Sequence, residues 1–241
     1  MTDPTQPTPP LATGGMSTTG TTTQVKITRP RLDPKDKKVL CSAICKCKDT
    51  PGTGKDGRSL KQSCVSGRLK VLDGVLDHRS PYKPEVNYDM TKQPPAPIMD
   101  GDVETKGHDW LPGWITKYWS TPDEQGSQRP PFQAGEGMIR RPDVVIVNDP
   151  AKPPTQDNIK QVVEIKFPPD KRDLRQNAAY TQIAGDENKL VLMGPEDCDC
   201  DQPEPESTKV PVEALSKAAA AAGLLYMILT KRPPPGRIPA Y

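Results

Sequence analysis

The chain has few aromatic and few large apolar side chains. Its 241 residues include only 2 Phe, and Leu, Ile, Val and Phe together make up about 18% of the sequence, which is close to the level at which disorder becomes a serious alternative. Pro and Gly are abundant, with 30 and 18 residues. The net charge of only +2 argues against disorder of the whole chain, because disordered proteins usually combine low hydrophobicity with high net charge.

Long hydrophobic runs are also missing. No stretch approaches the roughly 18 consecutive apolar residues of a membrane helix, and the longest apolar run, residues 218–229, is interrupted by Gly223. The first residues lack the basic and apolar regions of a secretory signal. We therefore expect no membrane insertion and no export signal. The balanced charge predicts no general affinity for polyanions, so any nucleic-acid contact requires a local basic surface.

The six cysteines permit two kinds of structure. Four of them, Cys41, Cys45, Cys47 and Cys64, could offer four thiolates to zinc, but their spacing is irregular for a zinc site. An even number fits disulfides, and we favour disulfides or free thiols over zinc. For the pair in Cys198-Asp199-Cys200 we expect a disulfide within the loop or free thiols.

The N-terminal part of the chain divides by composition. Residues 1–36 are rich in Thr and Pro and predict a flexible leader. Residues 37–80 form a cysteine-containing segment in which two short apolar elements, Val39–Cys41 and Leu69–Leu76, flank a Gly-rich loop. Further along, the aromatic stretch Trp110–Trp119 either packs on the later domain or offers a platform for nucleobases, and packing is the favoured interpretation.

The apolar residues concentrate in residues 138–229, where strands and helices alternate. The β-branched and apolar runs predict four strands, and Asp173 followed by helically spaced apolar residues predicts the first of two helices. In chain order these elements are strands Val144–Val147 and Val162–Phe167, helix Leu174–Ala184, strand Lys189–Met193, helix Val212–Ala222 and strand Leu224–Leu229. This order predicts an α/β domain, residues 81–232, with a mixed central sheet flanked by helices and a tail at 233–241.

Three charged residues on the first two strands point to chemistry. Asp143 opens the first strand, while Glu164 and Lys166 alternate on the second and therefore point to the same side of the sheet. Carboxylate oxygens suit hard cations such as Mg²⁺, and a lysine ammonium can orient a water or offset charge developing on a phosphate. This combination suits phosphodiester hydrolysis.

The same residues carry a family resemblance. Arg140-Arg141-Pro142-Asp143 followed by Glu164-Ile165-Lys166 resembles the PD-(D/E)xK motif of the restriction-endonuclease-like superfamily, and Gln176 with Tyr180 resembles its QxxxY element. The sequence is most similar to the VRR-NUC branch, in particular to nuclease domains used as interbacterial toxins of type VI secretion. The motifs span residues 140–180.

The resemblance implies a restriction-endonuclease-like core and a Mg²⁺- or Mn²⁺-dependent DNA endonuclease. Asp143 and Glu164 would ligate the metal, Lys166 would position water or phosphate, and Gln176 and Tyr180 would lie beside the site. The superfamily often adds an upstream acidic ligand, for which Glu85 is the first candidate and Glu136 the second; a surface carboxylate is an equal alternative for each. The basic residues near the motifs could bind DNA phosphates or form a solvated face; they are Arg140, Arg141, Lys171, Arg172 and Arg175.

The toxin resemblance further implies a cognate immunity protein and a secretion-system delivery component, with synthesis in the bacterial cytoplasm and delivery into the cytoplasm of a target cell. Two other functions stay open. One is a DNA-repair or structure-specific nuclease that acts in its own cell, and the other is a non-catalytic protein-binding module that docks through residues 81–131. The only two histidines, His78 and His108, lack recognisable catalytic partners and are interpreted as surface or structural residues.

Overall fold

A computed structural model of the chain describes residues 30–54, 60–122 and 126–200. The predicted helix 212–222, the predicted strand 224–229, the tail 233–241 and most of the leader lie outside the described residues. The helices and strands in chain order are α1 (Pro34–Cys47), α2 (Leu60–Val75), β1 (Tyr82–Pro84), β2 (Tyr88–Asp89), β3 (Ala96–Pro97), α3 (Leu111–Tyr118), β4 (Ile139–Arg140), β5 (Val144–Val147), β6 (Ile159–Ile165), α4 (Leu174–Ala184) and β7 (Leu190–Met193).

The main sheet has four strands in the order β1-β5-β6-β7. β1, β5 and β6 are antiparallel neighbours, whereas β7 runs parallel to β6. A parallel neighbour requires a crossover connection, and α4 lies in that connection between β6 and β7. The described part of the chain is therefore α/β with a mixed sheet, which confirms the predicted fold class at this level.

The strands and the helix that the sequence predicts near the motifs are present. β5 has the predicted bounds, while β6 begins three residues earlier than expected because Ile159 and Gln161 also pair with β5. α4 begins where the Asp173 side chain accepts the N–H groups of the first helical turn, and it ends at Gly185 in the left-handed region with φ +75°.

Helices cover the two faces of the main sheet, and each face has its own apolar cluster. Alternation along β6 sends Val163 and Ile165 into a cluster with α1 and α2, and Val162 into a second cluster with Tyr180 and Ile183 of α4. The α1–α2 pair is therefore part of the same core as the sheet.

Both N-terminal helices are longer than the short apolar elements that the sequence analysis predicts. α1 has 14 residues and α2 has 16, and Leu40, Ile44 and Cys47 of α1 are buried at helical spacing. Asp33 caps α1, and the buried Asp36 accepts a hydrogen bond from the Tyr82 hydroxyl at 2.9 Å. The leader boundary expected at residue 36 therefore falls inside α1, since these two aspartates give the helix start fixed partners.

All six cysteines form disulfides: Cys41 with Cys198, Cys45 with Cys200, and Cys47 with Cys64. The expected loop disulfide between Cys198 and Cys200 is wrong. Residues i and i+4 of a helix lie on one face, so the first two α1 cysteines meet two partners that are close in the loop after β7. The cysteines are not arranged around a metal within the described ranges.

In the aromatic stretch Trp110–Trp119, some side chains are packed and others are exposed. Trp119 is buried against Phe132, with ring centroids 4.9 Å apart, as the packing interpretation expects. Trp110 is 67% exposed, and no residue of α3 is buried. This region adjoins a small sheet in the order β3-β2-β4. In the part of the chain that the structure describes, no helix is long and apolar enough to cross a membrane.

Candidate active site

Asp143 and Glu164 are neighbours across the β5–β6 pair. Val144 lies opposite Val163, so continuing the antiparallel register by one residue places Asp143 opposite Glu164. One Asp143 carboxylate oxygen, Oδ2, accepts the backbone N–H of Ile165 at 2.7 Å. This side-chain bond satisfies the strand amide just beyond the last β5 pairing and fixes the aspartate beside the strand that carries Glu164.

β6 ends at Ile165, two residues before the predicted end, and Lys166 directly follows it with its side chain on the same side as that of Glu164. Its ammonium Nζ is 2.7 Å from Glu164 Oε1 and 3.1 Å from Gln176 Oε1. The shared side expected from strand alternation is therefore confirmed. The lysine is held between the strand and the first turn of α4.

Gln176 and Tyr180 extend this contact into a chain of hydrogen bonds. Gln176 Nε2 donates to the Tyr180 hydroxyl at 3.0 Å, and that hydroxyl donates to the backbone carbonyl of Arg141 at 2.8 Å. The structure thus brings together all five residues proposed as catalytic: Asp143, Glu164, Lys166, Gln176 and Tyr180.

Burial and mutual repulsion change the acidity of the site. Burial raises the pKa of Asp143, and the negative charge of Glu164 raises it further, to about 7. Burial also raises the pKa of Glu164, against the opposing effect of the Lys166 ammonium. For Tyr180, burial and the nearby Glu164 charge raise the pKa of the phenol well above its usual range. Two carboxyl groups that resist simultaneous ionisation form a site that a positive charge would stabilise.

The carboxylate oxygens of Asp143 and Glu164 are ligands of the kind that a divalent cation prefers. Glu164 is 1% exposed, and its Oε2 lacks a hydrogen bond from the described residues unless the neighbouring Asp143 carboxyl is protonated and donates to Glu164. A buried carboxylate oxygen without a partner is costly, and a hard cation would satisfy it together with Asp143. Across residues 30–54, 60–122 and 126–200, however, no cluster of three or more His, Cys, Asp or Glu side chains is arranged to hold a metal.

Glu85 lies at the edge of the site and is held by cations. It follows β1 in the left-handed region, with φ +52°, and its N–H donates to the Asp143 carbonyl at 3.0 Å. Its carboxylate forms an ion pair with Lys70 and lies 3.9 Å from Arg141. Burial alone would raise the pKa of Glu85, but these two cations outweigh that effect and lower it. The second acidic candidate, Glu136, is exposed.

The predicted DNA-binding cations surround the site at different depths. Arg140 is half-buried on β4, and the Arg141 side chain is 58% exposed. The other three are exposed around the start of α4; they are Lys171, Arg172 and Arg175. These cations share the segment before and at the start of α4 with the exposed Asp170 and Asp173.

Sequence reasoning missed two contributions from α2. Gln62 Nε2 donates to the Ile165 carbonyl at 3.0 Å, and Lys70 pairs with Glu85. Gln62 and Ile165 are 103 residues apart, and neither residue has a local pattern that indicates the contact. Together with the Asp143 contact to the Ile165 N–H, the glutamine fixes both sides of the residue between Glu164 and Lys166.

No protein-family model matches the chain, and neither a curated protein nor a solved structure matches it significantly. Support for a function therefore comes from the residues of the site.

Proposed function

We propose that the chain is a metal-dependent DNA endonuclease with a restriction-endonuclease-like core. The observation that carries the proposal is the buried carboxyl pair of Glu164 and Asp143, which share one side of the strand pair, with Glu164 also paired with Lys166. A purely structural strand has little reason to bury this arrangement. Two strands that present an aspartate and a Glu-x-Lys, followed by a helix that presents Gln176 and Tyr180, support the restriction-endonuclease-like assignment.

Asp143 and Glu164 would hold Mg²⁺ or Mn²⁺, which when bound supplies charge stabilisation and an acidic water. Glu85 lies close enough for its charge to raise the pKa of Asp143, but its carboxylate is engaged by Lys70 and Arg141. We therefore assign to it the role of an outer acidic group that keeps the two cations beside the site.

Lys166 would hold the attacking water or a non-bridging oxygen of the scissile phosphate and offset its developing negative charge. Gln176 limits the motion of the lysine by accepting one of its N–H groups. The Tyr180 hydroxyl stays neutral, because its pKa is raised, and connects Gln176 to the strand that leads into Asp143.

DNA is the substrate that the surrounding charge supports. Arg141 is exposed beside the site, and Lys171, Arg172 and Arg175 are exposed around the start of α4. Cations at these places would bind backbone phosphates without reading sequence.

Within this function, the disulfides argue against a repair nuclease confined to the cytoplasm of its own cell, and a delivered toxin fits them if its route passes through an oxidising compartment. Disulfides persist in oxidising compartments and are rare in cytosolic proteins, and all six cysteines are paired. A toxin delivered by type VI secretion would need a cognate immunity protein, which we expect to cover the basic surface. Expression without the neighbouring gene should be toxic to the host and co-expression should relieve it, whereas a repair nuclease should be tolerated in both cases.

The test of the activity is plasmid DNA incubated with the oxidised protein in Mg²⁺, in Mn²⁺ and in EDTA. We expect nicked and linear products with either metal and none in EDTA. DNA that is bound but never cut would support the non-catalytic binding module, and cleavage that persists in EDTA would contradict the metal dependence.

A further inference from the structure

A groove near the candidate site is lined in part by the residues that directly precede the exposed Trp110. The groove has a volume of about 160 Å³, and its lining includes Lys70, Glu85 and Arg141 as well as Lys106, His108 and Asp109. Arg141 is two residues before Asp143, and Trp110 directly follows Asp109. The groove lining therefore includes residues next in sequence to the site and to Trp110, an aromatic side chain with no role in the proposed catalysis.

The charges of this groove favour an anionic chain. Lys106 pairs with Asp109 and Asp100, and Lys70 pairs with Glu85, but these pairs are partly exposed and can exchange for phosphate at little cost. The lining has an excess of one positive charge, since Lys70, Lys83, Lys106 and Arg141 lie against Asp73, Glu85 and Asp109.

The Trp110 indole is both exposed and held in place. It is 67% exposed, and its ring lies so close to the Gly113 backbone that a Cβ at this position would be 2.1 Å from a ring carbon. The backbone N–H of Trp110 donates to His108 Nδ1 at 3.1 Å. A fixed, solvent-facing indole is suited to stacking, because little side-chain entropy remains to be lost.

The other tryptophan rings are already engaged. Trp119 is buried and donates through Nε1 to the Pro130 carbonyl at 2.8 Å. The Arg129 guanidinium lies 5.2 Å from the Trp114 ring. His108 adds a donor, because Nδ1 accepts a hydrogen bond and the neutral ring must then carry its proton on Nε2.

We propose that the groove and Trp110 form a subsite for single-stranded DNA, in which Lys106 and Arg141 contact phosphates and the indole stacks on a nucleobase. This inference rests on the nuclease function proposed above. It assigns the substrate a strand that is unpaired beside the cleavage site, because a base inside a duplex does not offer its face to an exposed indole.

The test compares the binding of a fluorescent single-stranded oligonucleotide with that of an abasic strand of equal length, by anisotropy in EDTA. Trp110→Ala should weaken binding of the normal strand roughly tenfold and leave binding of the abasic strand unchanged. Trp110→Phe should retain most of the affinity. Gly113→Ala should resemble Trp110→Ala, because the added methyl displaces the indole while alanine favours the helix.

A second arm tests the phosphate contact with a matched pair of lysines. Lys106→Ala should lower the slope of log affinity against log salt by about 0.7 on a single strand. Lys152→Ala should not, although Lys152 also pairs with an aspartate three residues away, since it lies outside the groove.

The outcomes separate this subsite from the nuclease function. If the wild type cuts DNA but Trp110→Ala binds both strands like the wild type, the subsite is overturned alone and the indole is left for a protein contact. Equal weakening of both strands by Trp110→Ala also overturns stacking. If the wild type neither binds nor cuts any DNA, both the subsite and the proposed function fail.

Discussion

At the scale of single residues, the site depends on how Ile165 is held. Its N–H donates to the Asp143 carboxylate, and its carbonyl accepts a hydrogen bond from Gln62. These two side chains therefore satisfy the backbone groups of β6 beyond the last residue that pairs with β5. Glu164 and Lys166, the neighbours of Ile165 on either side, are thereby fixed in direction. Positioning of this kind matters because an error of about 1 Å at a catalytic group can reduce a rate by about 100-fold.

Gln62→Ala should therefore reduce the activity of the protein that remains folded. The variant leaves a partly buried carbonyl without this donor, which costs about 1–3 kcal/mol, and we expect kcat to fall roughly tenfold with little change in KM. Gln156→Ala is the matched control, since Gln156 donates to two carbonyls at the end of α4, away from the site. Equal loss of activity in both variants would contradict a positioning role for Gln62.

The Asp143 carboxyl predicts an unusual pH dependence for the metal-free protein. Its folded pKa of about 7 is above the unfolded value of about 3.9, so the folded state binds more protons between these values. The stabilisation is fully present below pH 4 and is lost as the pH rises through 7. In EDTA, the change should be on the order of 1–2 kcal/mol, because solvent screens a half-buried carboxyl.

Chemical denaturation of the wild type and of Asp143→Asn from pH 4 to pH 8 measures this effect. The free energy of unfolding of the wild type should fall relative to that of Asp143→Asn as the pH rises through this range. Groups that do not interact with Asp143 cancel in the difference between the two proteins, whereas the coupled Glu164 contributes to it. A pH-independent difference would mean that the carboxyl has an ordinary pKa.

At the scale of elements, the α1–α2 pair is an integral support of β6, the strand that carries Glu164 of the candidate site. Its apolar residues share a core cluster with Val163 and Ile165 of β6, and two disulfides tie α1 to the loop that follows β7. Removal of these helices would expose one face of the sheet that carries the site.

The two long-range disulfides should be strongly non-additive. Cys41–Cys198 and Cys45–Cys200 close nearly the same loop, with separations of 157 and 155 residues. Removing either one with paired serines should cost about 2 kcal/mol, because the other still closes the loop. Removing both should cost on the order of 5–7 kcal/mol. Urea denaturation measures these values, and a double loss equal to the sum of the single losses would argue against shared closure.

The sequence predicts the elements that have local signals and misses those that depend on distant partners. The β5 run and the helix between Asp173 and Gly185 are found because β-branched residues and caps act locally. The helices α1 and α2 carry buried residues at helical spacing, as in Leu40 and Ile44, but the short-element interpretation missed this period. The Gln62 contact and the disulfide pairing depend on chain segments more than 100 residues apart, which no local pattern encodes.

At the scale of the whole molecule, the described residues form a mixed sheet with helices on both faces and the candidate site near the end of β6. The long-range disulfides, the α1–α2 core and the α4 hydrogen bonds all converge on the strand pair that carries Asp143 and Glu164. On this account, a charged site in a fold with few apolar residues is stable because cross-links supplement a small core.

The most direct test of the central claim is plasmid cleavage in Mg²⁺ by Asp143→Ala, Glu164→Ala and Lys166→Ala, each compared with Lys152→Ala as a surface control. Circular dichroism and intact disulfides should show that every variant is folded. We predict that each of the three site variants loses at least about 100-fold in rate, because each lacks a metal ligand or a contact to transition-state charge, while the control cuts normally. Near-normal cleavage by any folded site variant would remove that residue from the active site and contradict the account.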